Sequence, residues 1–178
     1  MPDNSSPRVD SAVLIPVFRD PAGDLRVVLI RRSPGGSHGG HLAFPGGKKE
    51  PEDRSMQDTA LREAYEEIGL SPANVEVIAA LPSMDTRSTG FTIYPFLGRI
   101  QRPAEWHQNE LEVAEILEVG LSTLSRPDAH GEELRQFEGW NEPARVPFLR
   151  IEGGQIWGAT YRILLDLVPR LVAGEWNL

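Results

Sequence analysis

Three glutamates, Glu63, Glu66 and Glu67, fall within five residues of one another in the stretch AFPGGKKEPEDRSMQDTALREAYEEIGL that runs over residues 43–70. On a helix, residues three and four apart share a face, so this spacing gathers the carboxylates onto little more than one turn. Like charges so placed each cost an isolated helix roughly 0.2–0.5 kcal/mol. Gly69 then marks a helix stop, where the negative end of the helix dipole disfavours anions again. Clustered oxygens that break local rules twice call for a hard divalent cation, Mg²⁺ or Mn²⁺. The plain alternative is a solvated acidic face, with Arg62 offsetting Glu66 at i+4 and Asp58 at i−4.

Positioning the acids falls to a helix that begins near Ser55, with Ser55 and Asp58 as a capping pair. Met56, Ala60, Ala64 and Ile68 recur every fourth residue and predict the face that packs on a sheet. Gly46 and Gly47 just upstream allow close backbone approach, and the Gly47 carbonyl is a candidate cation ligand. Residues 11–18 and 25–32 read as strands joined through the turn sequence DPAGD, hence a hairpin. The following SPGGSHGG lacks the Lys-Ser/Thr ending of a nucleotide P-loop and reads as a mobile lip beside the site. His38 and His41 have the i, i+3 spacing of a metal pair, a reading set aside because most histidines need no ligand role.

Downstream, residues 74–81 and 91–100 read as strands, and the loop between them carries Arg87. A guanidinium fork matches phosphate geometry, so Arg87 is a candidate substrate contact, with an ordinary surface arginine as the alternative. Residues 108–119 hold Glu110, Glu112, Glu115 and Glu118 around Val113, Ile116 and Val119. Strand-like pieces are expected from Leu134, over 134–140 and 144–151, followed by a helix over 159–172 that Pro169 should kink or shorten.

The 178 residues suit one domain, with a loose tail over 1–10 and the folded unit over 11–178. A net charge of −8 and a pI near 5.0 argue against general affinity for nucleic acid or an anionic membrane. An acidic protein acting on an anionic substrate needs local positive charge or metal at its site. With no cysteine there is no disulfide, thiol nucleophile or cysteine-based zinc site. The N-terminus lacks the regions of a signal peptide and no apolar run approaches membrane-spanning length, so a cytoplasmic protein is expected. The sequence admits a homodimer without fixing the oligomeric state.

The segment from Gly47 to Leu70 resembles the signature of Nudix hydrolases: glycine, five residues, an acid, seven residues, then Arg-Glu-aliphatic-any-Glu-Glu-any-Gly-aliphatic. Arg62, Glu63, Ala64, Glu66, Glu67, Gly69 and Leu70 match its end. Asp53 stands at the mid-motif acid, and the interval from Gly47 to Arg62 is one residue longer than the general pattern. That longer interval is similar to the coenzyme A pyrophosphatase branch, as are Arg32-Ser33, His38, Gly40, the run AFPGG at 43–47, STGF at 88–91, PFLG at 95–98 and IWGAT at 156–160. His41 stands where that branch usually has glutamine.

The resemblance implies an α/β/α sandwich with a mixed β-sheet, an α/β fold. It implies metal ligation by Glu63, Glu66 and Glu67, proton transfer by Glu63 or Glu112, orientation of the acids by Arg62, and substrate contacts from Arg32 and His38. The implied substrate is coenzyme A or a derivative, cut to 4'-phosphopantetheine and adenosine 3',5'-bisphosphate. Two alternatives stay open: a Nudix pyrophosphatase for ADP-ribose or a dinucleotide, and a nucleotide-sensing module without catalysis.

Overall fold

Residues Val9–Arg19 alternate apolar side chains so that Leu14 and Ile15 are both wholly buried on opposite faces, and this strand, β1, is the axis of the sheet. The computed structural model describes residues 8–35, 39–86, 89–137 and 140–178. After β1 come β2 (Leu25–Arg32), β3 (Leu42–Ala43), β4 (Gly46–Lys48), α1 (Met56–Ile68), β5 (Val75–Ala80), β6 (Met84–Asp85), β7 (Phe91–Ile100) and β8 (Val113–Gly120). The chain continues through α2 (Leu121–Leu124), β9 (His130–Arg135), β10 (Ala144–Ile151), β11 (Gly154–Trp157) and α3 (Gly158–Val172).

The expected hairpin is present. Asp20 closes its turn by accepting from the Ala22 and Asp24 N–H groups at 2.9 Å each, and Gly23 supplies the positive φ of 84°. The two strands then part. The Val17 end of β1 pairs with β2, whereas Ser11, Ala12 and Val13 pair antiparallel with Lys48, Gly47 and Gly46 of β4. Beyond the parting β2 pairs with β3, and its pairing with β8 runs from Arg26 to Arg32. On its other edge β1 runs parallel to β7, from Val9↔Phe91 to Val17↔Arg99, the parallel pairing that makes the sheet mixed.

Helix α1 covers one face, burying Ala60, Ala64 and Ile68 against Leu14, Val28, Ile30 and Phe96. Burying a side chain such as Ile68 contributes about 1.5–3 kcal/mol. Helix α3 and the three-stranded sheet β11-β10-β9 cover the other, where Leu164, Leu167 and Ile156 meet Ile15, Val27 and Leu29. The result is the layered α/β sandwich with helices on both sides of a mixed sheet.

The ends of α1 are where the residue types place them. Ser55 Oγ accepts from the Asp58 N–H at 3.1 Å, and Gly69, at φ 69°, closes the helix with its N–H on the Tyr65 carbonyl.

Several expectations need correction. β1 begins at Val9 and β9 occupies His130–Arg135, ending where a strand was expected to start. Asp58 pairs with Arg54 at 3.2 Å and not with Arg62. Helix α3 runs through Pro169 to Val172 and is not shortened: the proline forgoes its own bond to the Leu165 carbonyl, but little of the helix remains beyond it to be displaced. Among the described residues, no helix is long and apolar enough to cross a membrane.

Candidate active site

The three clustered glutamates occupy three different environments. Glu67 is 0% exposed. Its Oε2 accepts the Gly46 N–H at 2.8 Å, while its Oε1 is buried without a hydrogen-bond partner among the described residues. Arg32 Nη2 lies 3.9 Å from that orphaned oxygen. Burial pushes the Glu67 carboxyl up to about 8, with Glu63 and Glu112 adding to the rise and the Gly46 N–H and Arg32 opposing it.

This shift has a sign that can be measured on the metal-free chain. An unfolded glutamate titrates near ~4.3, so the folded state holds the proton more tightly. The resulting stabilisation is complete below the unfolded value and is lost as pH rises through about 8. With chelator present, the melting temperature is expected to fall between pH 5 and pH 8, and to fall less in a Glu67→Gln variant. Equal slopes in the two proteins would contradict this origin.

Glu63 lies over the backbone of β4: a methyl group built on Gly47 would overlap its carboxylate, so glycine is required for that approach. Burial raises its pKa, moderated by Arg62. Glu66 is half exposed and accepts from Arg62 Nη1 at 3.0 Å, so for this residue the i+4 compensation is real.

Arg62 itself is held from behind. Its Nε and Nη2 donate to the two oxygens of Asp53 at 2.9 Å each, and Nη2 also donates to the Lys48 carbonyl at 3.0 Å. Asp53, 7% exposed, further accepts from Thr59 Oγ1 at 2.8 Å and the Glu50 N–H at 2.9 Å. Arg62 above all, with these two donors, holds the Asp53 carboxyl far below the usual range. From this anchor Arg62 Nη1 reaches Glu63 Oε1 at 3.1 Å as well as Glu66, so one guanidinium sets the positions of two acids.

Of the four acids in the 108–119 segment, Glu115 is paired with Arg31 at 2.9 Å, and Glu118 with Arg102 at 2.7 Å and Trp106 at 2.6 Å. The charge of Glu112 reaches both Glu63 and Glu67. Its placement comes from Asn109, whose N–H donates to the Glu67 carbonyl at 2.9 Å and whose carbonyl receives the Glu112 N–H at 2.9 Å. Arg31 and Arg32 are consecutive on β2 and alternate across the sheet, the first side chain pairing with Glu115 and the second lying beside Glu67.

His38 and Arg87, expected as substrate contacts, lie outside the described residues. His41 packs edge-on against Trp157, with ring centroids 4.6 Å apart. Sequence reasoning passed over Asn109, Thr59 and the Gly46 N–H, and left Asp53 without a role. The spacing Asn109-x-x-Glu112 is a turn-capping pattern that could have pointed to the first.

Among the described residues, no three acidic or imidazole side chains stand as a ready-made ligand set, since Arg62 sits against Glu63 and Glu66. The donors are nevertheless of the type a hard cation takes, all carboxylate or carbonyl oxygen. The buried Oε1 of Glu67, which has no hydrogen-bond partner among the described residues, fits such an ion.

A family model for the NUDIX domain matches residues 8–148. A protein of Pectobacterium atrosepticum, named an uncharacterized Nudix hydrolase NudL, is 45% identical over 112 residues, which is 62% of this chain and 57% of that relative's length. The chain thus spans little more than half of that relative. A protein of the same name from Yersinia enterocolitica is 36% identical over 90% of this chain and 80% of its own length. Among solved structures, RenU, a Nudix hydrolase from M. smegmatis, superposes with a TM-score of 0.65 at 18% identity, covering 96% of this chain and 89% of that one, a likeness of fold. With Arg62-Glu63 and Glu66-Glu67 on a capped helix inside the matched span, the chain belongs to the Nudix hydrolase family.

Proposed function

We propose that this Nudix hydrolase cleaves the diphosphate linkage of a nucleoside diphosphate derivative, and that its substrate is coenzyme A or an acyl-coenzyme A, releasing 4'-phosphopantetheine and adenosine 3',5'-bisphosphate. The observation that carries the catalytic reading is the buried oxygen of Glu67 that accepts no hydrogen bond among the described residues, beside Glu63 and Glu112. What favours coenzyme A is the resemblance of the run from Arg32 to Gly47 and of its longer interval to Arg62.

Glu63, Glu66, Glu67 and the Gly47 carbonyl would hold Mg²⁺ or Mn²⁺. When bound, such an ion neutralises phosphoryl charge and acidifies water. The chain's own groups supply the rest. Arg62, fixed by Asp53, holds Glu63 and Glu66 in place. Arg32 offers a positive charge to the diphosphate from the wall beside Glu67. Glu112, exposed and held near the acids by Asn109, takes the proton of the water that attacks phosphorus, with Glu63 as the alternative base. The P–O bond to the bridging oxygen breaks, and each product leaves as a phosphate monoester.

The test is product identification across coenzyme A, ADP-ribose and dinucleoside polyphosphates at equal Mg²⁺, with and without chelator. Coenzyme A is expected to show the highest kcat/KM, and chelation to abolish turnover. ADP-ribose turned over as fast would move the substrate to the second nucleotide class. No turnover of any compound would leave only a nucleotide-sensing module.

A further inference from the structure

A second gathering of side chains lies where β3 meets β11. At its centre is Trp157, with the Arg135 guanidinium 4.1 Å above its ring, His41 edge-on at 4.6 Å and Phe137 at 6.1 Å. All four are partly exposed. Arg135 donates to Gln155 at 2.9 Å and pairs with Glu133, which fixes its guanidinium against the Trp157 ring.

Trp157 also breaks a local rule. It occupies the N-cap of α3, where serine, threonine, aspartate and asparagine are favoured, and it makes no capping hydrogen bond. A large, partly exposed ring kept in that position, with a guanidinium against it, is best explained by recognition of a flat partner.

Position identifies the partner. Arg32 donates its N–H to the His41 carbonyl at 3.0 Å, and its guanidinium is 3.9 Å from Glu67 Oε1. One cross-strand step of about 5 Å therefore separates the inner member of the aromatic group from the residue beside the acids. A nucleotide whose diphosphate sits at the acids carries its base one ribose further on, at this rim.

We propose that Trp157, His41 and Arg135 form the nucleobase subsite, the base stacking on the aromatic rim while the Arg135 guanidinium, fixed by Gln155 and Glu133, holds the Trp157 ring in place and adds a cationic edge to the stack. This assignment rests on reading the chain as a hydrolase of nucleoside diphosphate derivatives, and it names the part of the substrate that the acids do not touch.

The experiment compares Trp157→Leu, Trp157→Phe and Arg135→Gln with the parent enzyme, each checked by thermal melting. Stacking of this kind predicts a rise in KM for the nucleotide substrate of about tenfold in Trp157→Leu, a smaller rise in Trp157→Phe, and a larger change in KM than in kcat for all three. In parallel, adenosine 5'-diphosphate is titrated with chelator present while tryptophan fluorescence is followed, with inorganic diphosphate as the base-free comparison. The nucleotide should quench the parent, the base-free compound should not, and most of the quench should vanish in Trp157→Phe.

Unchanged KM in Trp157→Leu, a quench of equal depth in Trp157→Phe, or no quench in the parent would overturn the subsite while leaving the hydrolase reading intact. Trp157-dependent quenching in a protein that hydrolyses no nucleotide would instead overturn the hydrolase reading and keep the subsite. Should Trp157→Leu fail to fold, Trp157→Phe and Arg135→Gln carry the test.

Discussion

Glu67→Gln is expected to lower kcat by about 10²–10³-fold or more while leaving the melting temperature of the metal-free protein unchanged or higher near neutral pH. The two effects separate because Glu67 is wholly buried and its carboxyl is pushed up to about 8. Near neutrality and without metal, the native side chain is therefore already largely protonated, and a carboxamide of the same shape imitates it. The amide oxygen still accepts the Gly46 N–H, and the new NH₂ group has Glu63 and Glu112 nearby as acceptors. What the variant lacks is a charge to offer a cation. Steady-state kinetics and differential scanning fluorimetry on one preparation decide the matter, and near-parental turnover would remove Glu67 from the site.

Arg62→Ala is expected to do the reverse, damaging fold and activity together. It strips a nearly buried Asp53 of both charged hydrogen bonds and releases Glu63 and Glu66 at once. Breaking a buried pair from one side costs about 3–5 kcal/mol. Arg62 retains some exposure, so about 2–4 kcal/mol is expected here, a fall in melting temperature of roughly 5–15 °C for a chain of this size. Displaced acids should cost a further ~10²-fold in kcat/KM. Arg62→Lys should rescue little, because an ammonium cannot span both Asp53 oxygens and the Lys48 carbonyl as the planar fork does. A variant that melted with the parent in a chemical-denaturation series would show that Asp53 is satisfied by Thr59 and Glu50 alone.

The parts of this molecule legible in its sequence are those whose partners are local. The β1–β2 turn, Ser55 and Gly69 at the ends of α1, and the fourfold recurrence of Ala60, Ala64 and Ile68 each follow from contacts within a few residues. The short strands β3, β4 and β6 have no pattern of their own and exist because β2, β1 and β7 offer them edges. β9 reads HGEELR, with no apolar alternation, so the eye moves to the more apolar residues after it.

The candidate site divides in the same way. Spacing alone finds the glutamates, but only the fold shows that one is buried, one is bound beneath Arg62 and one is half in solvent. Likewise nothing in the run of four acids separates Glu112 from its neighbours until Arg31 is seen to occupy Glu115, Arg102 and Trp106 to occupy Glu118, and the charge of Glu112 to reach Glu63 and Glu67.

The central parallel pair has a consequence for biogenesis. β1 begins at Val9 and its partner at Phe91, so everything from the hairpin to the glycine-capped helix is an excursion between two adjacent strands. Closing so long an excursion is entropically costly and slow. A nascent chain leaving the ribosome has the acidic helix in hand well before the strand that completes the face beneath it. Until that strand arrives, the helix's apolar stripe is left partly uncovered, a window in which a chaperone, or a second unfinished copy, competes for it.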